Sequence, residues 1–195
     1  DEEIFHAILR RIIVEGKPAL VIPNAQIGGS IGSFFHLLSS PIFFITSSNP
    51  MLIQLFGSAL GVVTTILMYL VGRLIAGQVM GLISATLYGG SFLVSFFDRR
   101  WWPLTLDPIL ILIAIGSLIQ LSRKNYKYSI LLAIAISFAW QADPTNAVIL
   151  VGTIITLPFL KLPLWKKDYL RALIYLIFSV LPFIVFEARH PSSIF

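Results

Sequence analysis

Residues 51–72 read MLIQLFGSALGVVTTILMYLVG, a single Arg follows at position 73, and residues 74–97 read LIAGQVMGLISATLYGGSFLVSFF. Neither run holds an Asp, Glu, Lys or Arg, and the first extends back without a charge to Pro18. A hydrocarbon core about 30 Å thick needs about 20 helical residues, and a charge at its centre costs roughly 2.5–3.5 kcal/mol on insertion scales. Both runs reach that length. They read as two membrane helices folded back on each other through Arg73–Gln78, with Gly77 as the cap.

Working outward, shorter charge-free runs follow at 109–122, 128–142, 144–160 and 172–186. They span a bilayer when their flanking polar residues sit at the interfaces or inside protein. The reading predicts six membrane helices, 50–75, 78–97, 105–122, 127–141, 145–160 and 171–187. Asp98–Pro103, Arg123–Lys127 and Lys161–Asp168 are the turns, and Asp143-Pro144 breaks the chain because a residue before Pro avoids the α region. Connectors this short make sequential helices antiparallel neighbours.

Upstream, a helical wheel of residues 1–15 gathers Ile4, Phe5, Ile8, Leu9 and Ile12 on one face and Glu2, Glu3, His6 and Arg10 on another. That pattern predicts an amphipathic helix lying on the bilayer surface. Residues 16–33, with Gly16, Gly28, Gly29, Gly32, Pro18 and Pro23, read as a loop, and Phe34–Ile45 as a short, partly immersed helix interrupted by Pro41. The expected fold class is all-α: a multi-pass transmembrane helical bundle with an external amphipathic juxtamembrane helix. Its organisation is an external region over 1–48, six membrane helices over 49–190 and the start of an external segment over 191–195.

Composition agrees. The chain is 57% hydrophobic and 12% charged with mean hydropathy +0.89, where a soluble domain carries about 25% charged residues. This excludes an ordinary water-soluble enzyme and a disordered segment. The net charge of +5 comes without a basic cluster interleaved with aromatics, so no nucleic-acid partner is expected. The absence of Cys removes disulfides, thiolate nucleophiles and Cys-ligated metals. The chain opens at Asp1 without a basic n-region or cleavage site, so no signal peptide is expected, and it reads as a piece of a larger membrane protein.

Sorting the charges by alternate turns separates them. One side holds Arg73, Arg123, Lys124, Lys127, Lys161, Lys166, Lys167 and Arg171 with Asp168 as its acid; the other holds the remaining eight acids and six bases. The positive-inside rule makes the first side cytoplasmic. Acids collecting on the far side are what exposed polar loops or a carboxylate-bearing site at the non-cytoplasmic surface would both give.

Several stretches resemble one family. Asp1-Glu2 at the head of an amphipathic helix is similar to the Asp-Glu motif in the first external loop of GT-C class polyprenyl-phosphate-dependent glycosyltransferases, in the branch of protein O-mannosyltransferases and the lipid A aminoarabinose transferase. Asn49-Pro50 through Gly57-Ser58-Ala59-Leu60-Gly61 to Tyr69–Leu74 resembles that family's second membrane helix, and Gly81–Tyr88 its third. Arg99-Arg100-Trp101-Trp102 with Leu106-Asp107-Pro108 resembles its external Arg-containing turn, and Pro182-Phe183 to Phe186–His190 a helix end of bacterial members. The family's first membrane helix would precede Asp1. Many members carry Lys or His where this chain has Gln141–Asn146.

The resemblance implies an enzyme that moves a sugar from a polyprenyl-phosphate donor to a hydroxyl of a lipid, glycan or protein acceptor. Transfer inverts the anomeric carbon and takes place at the non-cytoplasmic face, most simply of the cell membrane. Such chemistry needs a base for the hydroxyl and cations for the departing phosphate. Asp1 matches the first motif position and is the expected base, with Glu2 orienting it or holding an acceptor or metal; the competing reading is an acidic helix N-terminus favoured by the macrodipole. Arg99 and Arg100 either bind the donor phosphate, for which the guanidinium fork is suited, or form an interfacial pair bridged to Asp98. Arg189 and His190 either reach the same phosphate or satisfy a helix C-terminus. Asp107, Asp143 and Asn146 are expected to line a polar cavity, although a cap before Pro108 also accounts for Asp107. Trp101 and Trp102 read as interface-belt residues and His36 as a partly buried residue with a local partner. Oxygen ligands from Glu2 or Asp107, with His6, suit Mg or Mn, yet no ligand spacing identifies a metal. The alternative class is a transporter or lipid-handling protein built on the same broken helices.

Overall fold

The computed structural model describes residues 9, 12, 21–24, 29–32, 34–47, 49–160 and 167–189. Two short strands, β1 (Val21–Asn24) and β2 (Gly29–Gly32), are followed by seven helices: α1 (Phe34–Ile45), α2 (Pro50–Gly89), α3 (Phe92–Asp98), α4 (Asp107–Ser122), α5 (Tyr128–Ala142), α6 (Ala147–Thr156) and α7 (Lys167–Arg189). Single 3-10 turns at Pro103–Thr105, Pro144–Asn146 and Leu157–Leu160 punctuate them. The chain is predominantly helical, as its charge-free runs require.

Helix α2 is two helices in one stretch. Asn49 caps its start by accepting from the Met51 N–H at 3.0 Å, with Pro50 at the first position. Its helical course fails at Ala76 and at Gly77, where φ 86° and ψ −176° demand a glycine. The arms then run antiparallel in close contact. A Cβ on Gly81 would stand 2.6 Å from the Tyr69 carbonyl, and one on Gly89 would touch Thr65 at 3.4 Å. The turn expected at Arg73–Gln78 is therefore present, with Gly77 as its pivot.

The second predicted helix, 78–97, is corrected. Its first part ends at Gly89, Gly90 closes it, and Ser91 caps a separate α3 by accepting from the Val94 N–H at 3.4 Å. Gly89-Gly90-Ser91 offers poor helix propensity and a ready N-cap, and that local chemistry outweighs an uninterrupted apolar run. The loop expected over 16–33 is corrected in part: β1 and β2 pair antiparallel, from Val21 opposite Gly32 to Asn24 opposite Gly29. A two-stranded ribbon has no central strand, so Pro23 is accommodated within it.

Helix α5 is the centre of the bundle, lying against α4 on one side and α7 on the other, with α2 behind α4. Its buried positions are mostly Ala and Ser, which let neighbouring backbones approach closely. Ala114 and Leu121 of α4 close on Leu132, Ala135 and Ile136 of α5 to form the main core. A second cluster joins Phe35 of α1 to Leu106, Leu110 and Ala139, and a third joins Leu9 to Phe43 and Ile53. Leu9 and Ile12 are helical and Leu9 is 2% exposed. At that position the apolar face of the predicted amphipathic segment packs on protein.

Two stretches, Pro50–Gly89 and Pro103–Ser122, are long and apolar enough to cross a membrane. Large apolar side chains also face outward along the bundle, among them Met51, Val79, Phe92, Val148 and Phe159, each more than two-thirds exposed. Apolar surface of that extent is what a lipid or protein partner covers.

Candidate functional site

The helix junctions fall at two ends. Arg123 donates from Nη2 to the Leu74 carbonyl at 2.6 Å, joining the α4–α5 turn to the α2 elbow. At the other end, Asn146 donates through Nδ2 to Asp107 Oδ1 at 2.8 Å and to the Ala139 carbonyl at 3.1 Å, joining the start of α4 to the break after α5. The basic turns around residues 73 and 123 thus meet each other, and so do the acidic junctions at 107 and 143.

At the acidic end, the junction around residue 143 is braced by its own hydrogen bonds. Asp143 is extended (φ −149°, ψ 125°) and its Oδ1 accepts from both the backbone N–H and the hydroxyl of Thr145, each at 2.7 Å. Asn146 is 8% exposed and places both amide hydrogens on acceptors. The structure brings Asp107 and Asn146 into contact, and their hydrogen bonds are spent on each other and on the helix ends.

The junction between α3 and α4 is open. A cavity of about 480 Å³ lies against it, with apolar walls from Leu93, Val94, Phe97, Leu104 and Pro108. Tyr88, Asp98, Arg100 and Thr105 add polar groups and Trp102 an indole. Pro108 is on this wall, while Asp107 beside it turns to Asn146. The Arg100 guanidinium lies 5.0 Å from the Phe96 ring centre and 5.9 Å from that of Phe97. Its backbone is held by Thr105, whose hydroxyl donates to the Arg100 carbonyl at 2.8 Å. Among the described residues Arg100 forms no ion pair.

Arg99 has a different place. Its carbonyl lies over Gly57, where a Cβ would stand 3.1 Å from the oxygen, and the residue is exposed, as Arg100 is. The expected bridge from these arginines to Asp98 gives way to another partner: Tyr88 donates its hydroxyl to Asp98 Oδ1 in a long contact of 3.4 Å. Burial raises the Asp98 carboxyl above its usual range, and the Tyr88 hydrogen bond partly opposes this.

Asp1, Glu2, His6 and His190 lie outside the described residues, as does the side chain of Arg189 at the end of α7. Among the described residues, no three His, Asp or Glu are grouped to hold a metal ion. Trp101, expected in an interface belt, has protein partners. It stacks on Phe35 at 5.6 Å, meets Phe56 edge-on at 6.4 Å and donates from Nε1 to Ser39 at 2.8 Å, so it ties α1 to the α3–α4 junction. Tyr88 and Asp98 were not expected as site residues. The available signal was the Gly57-x-x-x-Gly61 spacing, which marks a close helix approach without naming what approaches.

No protein-family model matches the chain, and no curated protein or solved structure matches it either.

Proposed function

We propose that the chain is a multi-pass membrane glycosyltransferase that takes a sugar from a polyprenyl-phosphate donor and passes it, with inversion, to an acceptor hydroxyl at the non-cytoplasmic face. The observation that carries this reading is the open cavity at the α3–α4 junction, where an exposed guanidinium with no ion-pair partner among the described residues borders apolar walls. A polyprenyl-phosphate sugar has that same division: an apolar chain for Leu93, Val94 and Phe97, and an anionic phosphodiester for Arg100, which gains further charge as the sugar leaves.

The reaction leaves negative charge on the departing lipid phosphate, and a guanidinium, whose planar fork matches phosphate oxygens, stabilises that charge when it is positioned beforehand. Arg100 is placed by its stacking on Phe96 and Phe97 and by the Thr105 hydrogen bond, so little reorganisation accompanies binding. The resemblance to GT-C enzymes supplies the base, Asp1, with Glu2 beside it, and assigns Arg99, Arg189 and His190 to the same phosphate. The meeting of the acidic junctions at one end and the basic turns at the other favours a site on the non-cytoplasmic side.

The test is transfer by the full-length protein in proteoliposomes given a panel of radiolabelled polyprenyl-phosphate sugars, with Asp1→Asn alongside. The expected result is consumption of one donor, lost in Asp1→Asn with donor binding retained. Unchanged transfer in that variant removes the base assignment. A wild-type chain that neither binds nor consumes any donor removes the transferase reading, and solute flux becomes the assay.

A further inference from the structure

Arg100 can serve as a phosphate ligand only if the turn that carries it is held in place. Asp98 is two residues away on that turn, and three contacts fix it to α2. Its Oδ1 accepts from Tyr88, at the end of the second arm. Its other oxygen rests on the first arm at Gly61, where any Cβ would come within 2.7 Å of Oδ2 and 3.0 Å of the Asp98 Cβ. One helical turn earlier, a Cβ on Gly57 would stand 2.9 Å from the Asp98 carbonyl and 3.1 Å from that of Arg99. The chain 98–99 is thus seated along a groove that only glycines at both positions leave open. The remaining side of the turn is held by Thr105 on the Arg100 carbonyl.

We infer that Asp98 is a positioning residue: latched to Tyr88 and seated on Gly57 and Gly61, it sets the place from which Arg100 meets an anionic lipid headgroup in the cavity. The inference rests on the lipid-phosphate reading of that cavity. A carboxylate beside a phosphate site repels the ligand, so its presence there needs a reason other than direct contact. The latch supplies one. What the latch uses is the acceptor oxygen and the side-chain shape, both of which Asn also has, and not the charge.

The experiment measures equilibrium binding of radiolabelled farnesyl phosphate to the full chain in phosphatidylcholine nanodiscs. Arg100→Gln should weaken binding by about tenfold or more, the equivalent of one lost charge-assisted contact. Asp98→Ala should weaken it by about tenfold, since Arg100 is then held from one side only. Asp98→Asn should restore affinity to wild type or better, which general loss of structure would not do. Tyr88→Phe removes a single hydroxyl, keeps the ring on the cavity wall and should cost about two- to threefold; it carries the test if Asp98→Ala does not fold. Wild-type affinity in both Asp98→Ala and Tyr88→Phe, or an Asp98→Asn variant as weak as Asp98→Ala, overturns the latch and leaves the cavity reading standing. Wild-type affinity in Arg100→Gln overturns the cavity reading and the latch with it.

Discussion

Two polar junctions, around Asp98 and around Asp143, use their charges in opposite ways. Around Asp143 the polar groups answer one another: the carboxylate accepts from Thr145, and the Asn146 amide donates to Asp107 and Ala139. Around Asp98 the carboxylate is answered by α2, but the neighbouring guanidinium lies on two phenylalanine rings and faces a cavity. A charge at a helix break therefore has two uses. Closed by its own hydrogen bonds it is structural, and left facing an apolar space it is available to a ligand.

That contrast can be broken by making the closed junction unstable without touching binding. Asn146→Ala removes two hydrogen bonds, one of them to a carboxylate, and should lower stability by about 3 kcal/mol. Thermal unfolding in detergent would read the loss, while farnesyl phosphate affinity in the folded fraction should stay within about twofold of wild type. A parallel loss of affinity would mean that the two junctions form one site.

Acidification examines a buried polar group outside both junctions. His36 is 4% exposed, and burial lowers its pKa from 6.5 to about 4. Between those values the unfolded chain binds a proton that the folded chain refuses, so the His36 contribution is complete above pH 6.5 and is lost as pH falls toward 4. The loss approaches about 3 kcal/mol, and His36→Leu should flatten the wild-type curve of unfolding temperature against pH over that window. Superimposable pH curves would contradict the assignment.

The α2 elbow sharpens the comparison from the opposite end. Gly77→Ala places a side chain at φ 86°, and the strain should cost about 2 kcal/mol. Because the elbow holds the arms whose far ends carry Gly61 and Tyr88, affinity should fall modestly as well, which the same binding assay checks. The smallest effect belongs to the closed junction: Thr145→Val removes a hydroxyl donor to Asp143 while the backbone N–H bond remains, for about 1 kcal/mol of stability and no change in affinity.

How much of this was legible in the sequence follows from where the physics is local. The elbow was readable because Arg73 and, four residues on, Gly77 fall between two apolar runs. The junctions at 123–127 and 143–144 were readable because bases and a proline interrupt the runs. The division of 78–97 was hidden, since Gly89-Gly90-Ser91 interrupts helix propensity but not hydropathy. The partner of Asp98 was hidden for a related reason: Tyr88 reaches it only across that unanticipated break, and adjacent arginines offered a nearer explanation. Trp101 pairs with Ser39, 62 residues away, which no local pattern announces.

The measurement that tests the account most directly is photo-crosslinking of the chain in nanodiscs with a polyprenyl phosphate carrying a diazirine near its phosphate, followed by peptide mapping. The account predicts labelling concentrated between Leu93 and Leu104, suppressed by unlabelled farnesyl phosphate and lost in Arg100→Gln. Labelling spread over the outward apolar faces of α6 and α7, indifferent to competitor and to Arg100, would contradict it.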